Sequence, residues 1–148
     1  MMKNFRGLKL AVIAHDAGAA NHILSWAKNQ RFDIASARFC LKGPAQVIAK
    51  RLLPEIKVYD DIESCLEASD FVIAGSGWAS DLEYSAMQLA KTLSIKVVTV
   101  IDHWVNYRER LHRHDQMAFP DEIWVTDAYA LSLVKKYNSR VSRGFTNK

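Results

Sequence analysis

Short apolar runs alternate along the chain with segments in which apolar residues recur at helical spacing. The apolar runs predict six strands, at residues 8–14, 33–41, 56–59, 71–74, 96–101 and 123–126. The other segments predict helices at about 20–30, 45–53, 60–68, 80–93 and 127–137. Runs that are apolar throughout are typical of parallel strands covered on both faces. The pattern therefore predicts an α/β fold, a Rossmann-like, doubly wound, mostly parallel sheet of about six strands with helices on both faces.

Residues at the ends of these segments support the predicted boundaries. Pro44 suits the first turn of a helix, where its missing N–H costs nothing. Asp60 with Glu63, and Ser80 with Glu83, have the spacing of capping boxes, in which each side chain bonds to the other residue's backbone N–H. We therefore expect Asp60 and Ser80 to begin helices.

The length of the chain, 148 residues, is that of one ordinary domain. We assign residues 1–140 to a single Rossmann-like domain and 141–148 to a C-terminal tail, which could begin a crossing to a second domain absent from this chain. Apolar residues make up 49% of the sequence and charged residues 24%, close to the average of globular domains. No apolar run approaches the roughly 20 residues that a membrane span needs.

Two features favour a cytoplasmic location. Cys40 and Cys65 follow no metal or redox spacing and lie among apolar residues, so we predict two buried free thiols in a reducing compartment. The first residues imitate a secretion signal, but His15 and Asp16 lie where its small-residue cleavage region should be. A buried first strand explains this segment better.

The segment after the first strand, residues 15–22, is the first candidate site. Its small residues would let phosphate or carboxylate groups approach the N–H groups at a helix N-terminus. We predict that His15 is a general base oriented by Asp16, unless the two side chains point apart and His15 only closes the strand. Ligand contacts are predicted at Gly18, Asn21 and His22. The segment matches neither the dinucleotide nor the phosphate-loop motif, so we predict no cofactor.

The segment after the fourth predicted strand is the second candidate site, with ligand contacts predicted at Gly75, Ser76, Gly77 and Trp78. Two glycines allow a tight turn with accessible N–H groups, and the Ser76 hydroxyl could donate to a ligand oxygen. Ser76 lacks the Gly-x-Ser-x-Gly surroundings of a hydrolase nucleophile. Trp78 could stack on a sugar or a base, or simply pack against the core.

The third candidate site follows the fifth predicted strand, with ligand contacts predicted at Asp102, His103, Asn106, Arg108 and Arg110. Arginine forms paired contacts with carboxylates and phosphates, whereas a solvated basic loop is the alternative. The histidines and aspartates do not have the i, i+4 spacing of a helical zinc motif, and we predict no metal site. No nucleic-acid-binding motif supports the basic residues as a nucleic-acid site.

The segments "LKGPAQVIAKR", "DFVIAGSGW", "LAKTLSIKVVTVIDHW" and "PDEIWVTDAYALSLVKKY" occur in the order seen in a known family. Over residues 8–137 the chain resembles the N-terminal, acceptor-side domain of GT-B-type glycosyltransferases and related nucleotide-sugar enzymes, which include hydrolases and 2-epimerases. The shared motifs are architectural. The resemblance implies a sugar or nucleotide-sugar ligand, a role in polysaccharide biosynthesis, and His15 or Asp16 as the base that activates an acceptor hydroxyl. It also implies that residues 75–81 and 102–110 line the cleft.

In that family the C-terminal domain holds the nucleotide sugar, and this chain ends where that domain should begin. The resemblance therefore implies an enzyme only in combination with a second domain or a partner subunit. Two alternatives remain open: a stand-alone small-molecule hydrolase or transferase that uses the His/Asp residues, and a non-catalytic binding module in which Trp78 and Trp104 face a partner.

Overall fold

The computed structural model describes residues 7–77, 80–101 and 120–125, and the backbone alone of residues 112–113, 116–117 and 141–143. The strands in chain order are β1 (Leu10–Ala14), β2 (Ala37–Leu41), β3 (Phe71–Ala74), β4 (Lys96–Ile101), β5 (His112–Arg113), β6 (Gln116–Met117), β7 (Glu122–Val125) and β8 (Val141–Arg143). Five of the six predicted strands form an all-parallel sheet in the order β2-β1-β3-β4-β7. The α/β, parallel character of the fold is therefore confirmed.

The prediction of a strand at residues 56–59 is wrong. Val58 makes a single parallel bridge with Phe39 beyond the outer edge of β2, and the Tyr59 N–H donates to the Phe39 carbonyl over 2.7 Å. At the other edge, β8 pairs in parallel with β7, within the segment that we assigned to the C-terminal tail. With the Val58 bridge at its outer edge, the sheet follows the order of a Rossmann-like fold.

The helices are α1 (Ala17–Lys28), α2 (Gly43–Leu52), α3 (Ile62–Leu66) and α4 (Leu82–Thr92), with one 3₁₀ turn at Ile34–Ser36. Helix α1 begins three residues earlier than predicted, because the alanines that we assigned to a loop are strong helix formers. Helix α3 is capped by Asp61, whose carboxylate accepts the Ser64 N–H, and the predicted capping role of Asp60 is wrong. The helix predicted at 127–137 lies outside the described residues.

The side chains of the sheet divide into two apolar clusters, one on each face. In β1, Leu10 and Val12 pack into the cluster that contains α1 and α2, whereas Ala11 and Ile13 pack into the cluster that contains α3 and α4. The same alternation along the other strands places helices on both faces, as predicted. In the described ranges, no helix has both the length and the apolar character needed to cross a membrane.

Both cysteines are buried and free, as predicted. Burial raises the pKa of the Cys65 thiol to about 12, and it also raises the pKa of Cys40. Both thiols lie in the cluster on the α3–α4 face. They are therefore protonated core side chains at neutral pH.

Candidate functional site

The candidate site lies where the direction of strand addition reverses. After β1 the chain adds β2 on one side, and after β2 it returns to add β3 on the other side of β1. In open parallel sheets, ligands bind outside the carboxyl ends of the two strands that flank such a switch point. The segments that follow β1, β2 and β3 are brought together there.

His15 and Asp16 form a hydrogen-bonded pair directly after β1. The His15 Nδ1 lies 2.6 Å from the Asp16 Oδ1, and the two side chains remain 22% and 29% exposed. Asp16 is the N-cap residue of α1, but its side chain makes no capping bond and turns to His15 instead. The alternative in which the two side chains point apart is therefore wrong. When Nδ1–H donates to Asp16, the Nε2 lone pair is available to accept a proton.

The first turn of α2 lies beside this pair. The Ala45 N–H donates to the His15 carbonyl over 2.9 Å, and the Lys42 N–H donates to the Ala14 carbonyl over 3.2 Å. A Cβ placed on Gly43 would lie 2.6 Å from the His15 Nε2, and Gly43 has a φ of +52°. Glycine at this position therefore lets the start of α2 pack closely against Nε2, and it adopts a backbone conformation that other residues rarely take.

The segment after β3 is held by several hydrogen bonds. The Gly75 N–H donates to Ile13 O over 2.9 Å, the Thr99 hydroxyl donates to Gly75 O over 3.0 Å, and the Ser76 hydroxyl donates to Val100 O over 2.9 Å. Ser76 is also buried. The Ser76 hydroxyl thus bonds to β4, and the Gly75 N–H bonds to β1, so the two residues fix the segment to both strands.

Gly77 connects this segment to the His15–Asp16 pair. A Cβ placed on Gly77 would overlap the Asp16 carboxylate, so the carboxylate packs directly against the glycine. The Gly77 N–H donates to Glu83 Oε1 over 3.0 Å. Three of the predicted site residues, His15, Asp16 and Gly77, are thus in one contact network.

Glu83 and Gly43 belong to this network but were not predicted as site residues. We expected Glu83 to bond back to the residue that caps α4. The N-cap residue of α4 is Asp81, so the predicted capping role of Ser80 is wrong, although the Ser80 Oγ accepts the Leu82 N–H over 3.1 Å. The buried Glu83 carboxylate accepts the Gly77 N–H. Gly75 and Gly77 were the sequence signal that could have indicated the inward position of Glu83, because residues without a side chain leave room for a carboxylate.

The other predicted contacts lie farther along α1 or outside the described residues. Gly18 lies in the first turn of α1. The exposed Asn21 side chain accepts a 3.5 Å hydrogen bond from Arg51, and the His22 ring lies 6.3 Å from the Trp26 ring, centroid to centroid. The predicted residues whose placement is not described are Trp78, Asp102, His103, Asn106, Arg108 and Arg110. Among the described side chains, no group of three or more histidines, cysteines, aspartates and glutamates is placed to hold a metal ion.

Two cavities lie away from the switch point. One, of about 350 Å³, lies at the amino ends of β4 and β7 beside Lys96 and Asp121. The other, of about 560 Å³, lies at the outer edge of β2 beside Phe39 and Tyr59. Neither is lined by the residues of the His15–Asp16 network.

No protein-family model matches the chain, and neither the curated proteins nor the solved structures contain a significant match. The site is defined by its own geometry. It consists of a histidine–aspartate pair at the switch point, two glycines packed against that pair, and a buried glutamate behind one of them.

Proposed function

We propose that this chain is the acceptor-side half of a glycosyltransferase-like enzyme of the GT-B type, acting on a sugar or a nucleotide-sugar related substrate. In this proposal His15 takes the proton from an acceptor hydroxyl, and the acceptor oxygen bonds to the donor's anomeric carbon. The bond from that carbon to the nucleotide phosphate breaks, and the nucleotide leaves with the bonding electron pair. The donor would be held by a second domain or a partner subunit. The observation that carries the proposal is the 2.6 Å hydrogen bond between His15 and Asp16 at the switch point.

The pair has the chemistry that a general base requires. A carboxylate that accepts the Nδ1–H holds the imidazole in the orientation that presents Nε2, and it stabilises the imidazolium that forms when Nε2 takes a proton. The side chains of His15 and Asp16 are 22% and 29% exposed, and this partial exposure gives a substrate access to the pair. The doubly wound parallel sheet is the architecture that the resemblance implied.

A stand-alone hydrolase or transferase is the second candidate, and one observation favours it. His15 and Asp16 are neighbours in the sequence. This chain therefore supplies both the general base and the carboxylate that orients it, without a contribution from another subunit. Such an enzyme would turn over a small substrate by itself. The enzyme half would bind an acceptor sugar but leave nucleotide sugars intact.

A titration followed by NMR separates these candidates. The imidazole signals of His15, assigned with a His15→Gln variant, are recorded while methyl glycosides and UDP-, GDP-, CMP- and TDP-sugars are added, with and without magnesium. Release of nucleoside diphosphate and of free sugar is measured in parallel. Lys28→Gln is the control, because Lys28 is an exposed residue of the last turn of α1, outside the network and outside the predicted ligand contacts.

For the enzyme half we expect selective shifts at His15 and at the Gly43 and Gly77 amides, without turnover. Turnover that disappears in His15→Gln and survives in Lys28→Gln would identify the stand-alone enzyme instead. If no member of the panel moves the His15 signals, both proposals are wrong. Shifts confined to other residues would indicate a binding module.

A further inference from the structure

We propose that Glu83 is a positioning residue that fixes the Asp16 carboxylate against His15, acting through Gly77. The inference rests on the role proposed above for the His15–Asp16 pair. It concerns the geometry of the pair, and that geometry can be measured without a substrate.

The burial of Glu83 is the first part of the argument. Its side chain is 1% exposed, although it lies in the first turn of α4, where a glutamate could equally extend into water. Removing a carboxylate from water is costly unless it receives hydrogen bonds. The helix dipole favours a negative charge in a first turn, but it does not require the side chain to turn inward. A contact inside the molecule must therefore compensate for the desolvation.

Two glycines make that contact possible. The Gly77 N–H donates to Glu83 Oε1 over 3.0 Å. A Cβ on Gly75 would overlap the other carboxylate oxygen and would lie 3.1 Å from the Ala19 Cβ of α1. The carboxylate therefore lies in a space that exists only because positions 75 and 77 carry no side chain. Its bond to Gly77 supplies one of the hydrogen bonds that a buried carboxyl group requires.

The opposite side of Gly77 is in contact with Asp16. A Cβ there would overlap the Asp16 carboxylate, so any movement of Gly77 towards Asp16 displaces that carboxylate. The contacts form one continuous series: Glu83 holds the Gly77 N–H, Gly77 limits the position of Asp16, and Asp16 bonds to the His15 Nδ1. In this proposal, the series limits the positions that the Asp16 carboxylate can take beside His15.

The test measures the ring nitrogens of His15 by long-range ¹H–¹⁵N NMR in Glu83→Ala and Glu83→Gln. In the wild type we expect an imidazole in one tautomer, protonated on Nδ1. Glu83→Ala should shift both ring nitrogens towards the average of two exchanging tautomers. Glu83→Gln should restore the wild-type signals in large part, since its amide oxygen can still accept the Gly77 N–H. Glu63→Ala is the matched control, because Glu63 is an exposed glutamate in the first turn of α3.

Unchanged His15 signals in a folded Glu83→Ala protein overturn the inference. Equal shifts in Glu83→Ala and Glu63→Ala overturn it as well, since they would reflect a general loss of negative charge. If Glu83→Ala does not fold, the His15 signals are measured in Gly77→Ala instead. The new methyl group displaces the Asp16 carboxylate directly, so it tests the contact between Gly77 and Asp16. In that case unchanged signals refute the inference. Failure of every sugar to bind refutes the proposed function and leaves these results intact.

Discussion

Replacing Gly43 with alanine probes the site without removing either member of the His15–Asp16 pair. The new methyl group would lie 2.6 Å from the His15 Nε2 and 3.1 Å from each of the two ring carbons beside it. It would therefore occupy the tip of the imidazole, where a substrate hydroxyl would approach. Ordinary contacts of this kind are 3.4 Å or longer, so the ring or the α2 backbone must move.

The loss in the free energy of unfolding caused by Gly43→Ala has two parts, which can be estimated separately. The φ of +52° is unfavourable for alanine by about 1–2 kcal/mol. Forcing a methyl group into an occupied space adds about 1–3 kcal/mol. The free energy of unfolding should therefore fall by about 2–5 kcal/mol. For a domain of this size each kcal/mol corresponds to roughly 2–4 °C, so Tm should fall by roughly 4–20 °C.

Gly7→Ala is the matched control, because Gly7 has a φ of +78° and nothing within 4 Å of the position of a Cβ. It should show only the backbone part, about 1–2 kcal/mol. Thermal denaturation followed by circular dichroism measures both variants, and the same pair is then made in a His15→Ala background. Without the ring, the cost of Gly43→Ala should fall to that of Gly7→Ala. If Gly43→Ala and Gly7→Ala lower the free energy of unfolding equally while His15 is present, and the His15 NMR signals are unchanged, the contact between position 43 and the His15 ring is refuted.

Three further predictions concern the rest of the molecule. Hydrogen bonds from the backbone and side chain of Ser64 hold the pKa of Asp61 below its ordinary value, so this stabilisation is present at neutral pH and is lost as the pH falls through the lowered pKa. The Tm deficit of Asp61→Asn should therefore shrink as the pH falls, and a deficit that is constant between neutral pH and about pH 2 would contradict this. Because Cys65 has a pKa of about 12, Ellman's reagent at pH 8 should leave the folded protein unmodified and should label both cysteines in guanidinium, whereas rapid labelling of the folded protein would be inconsistent with a buried thiol. Ser76→Ala should cost about 1–3 kcal/mol in a urea titration because it removes a buried bond to Val100, and a loss below about 0.5 kcal/mol would show that the bond contributes little.

The parallel sheet was predictable because its strands are apolar on both faces. The outer edge was not, because Val58 has the same β-branched, apolar surroundings as the residues of true strands. Only one bridge forms there, between Val58 and Phe39, and the bond from the Tyr59 N–H to the Phe39 carbonyl belongs to it. Local composition indicates a preference for extended backbone, whereas the number of ladder bonds depends on how the chain leaves the sheet.

The candidate site was predictable only in part. The positions of His15 and Asp16 follow from the rule that ligands bind beyond the carboxyl ends of parallel strands. The inward orientation of Glu83 does not, because its sequence neighbourhood fits a capping box equally well. The close approach of Gly43 to His15 joins segments from two different crossovers, so it became visible only when β1 and β2 were placed side by side.

The position of β1 in the sheet has a consequence for how the chain is made. This strand pairs with β2 on one side and with β3 on the other, and Leu10 aligns with Phe71, about 60 residues further along the chain. At synthesis rates of about 5–20 residues per second, β3 is synthesised roughly 3–12 seconds after β1, and until then one edge of β1 is unpaired. The apolar segment of β1 is therefore synthesised well before β3, which covers one of its edges in the folded protein. We expect the nascent chain to depend on chaperones during that interval, and slow codons between β2 and β3 to lower the yield of folded protein.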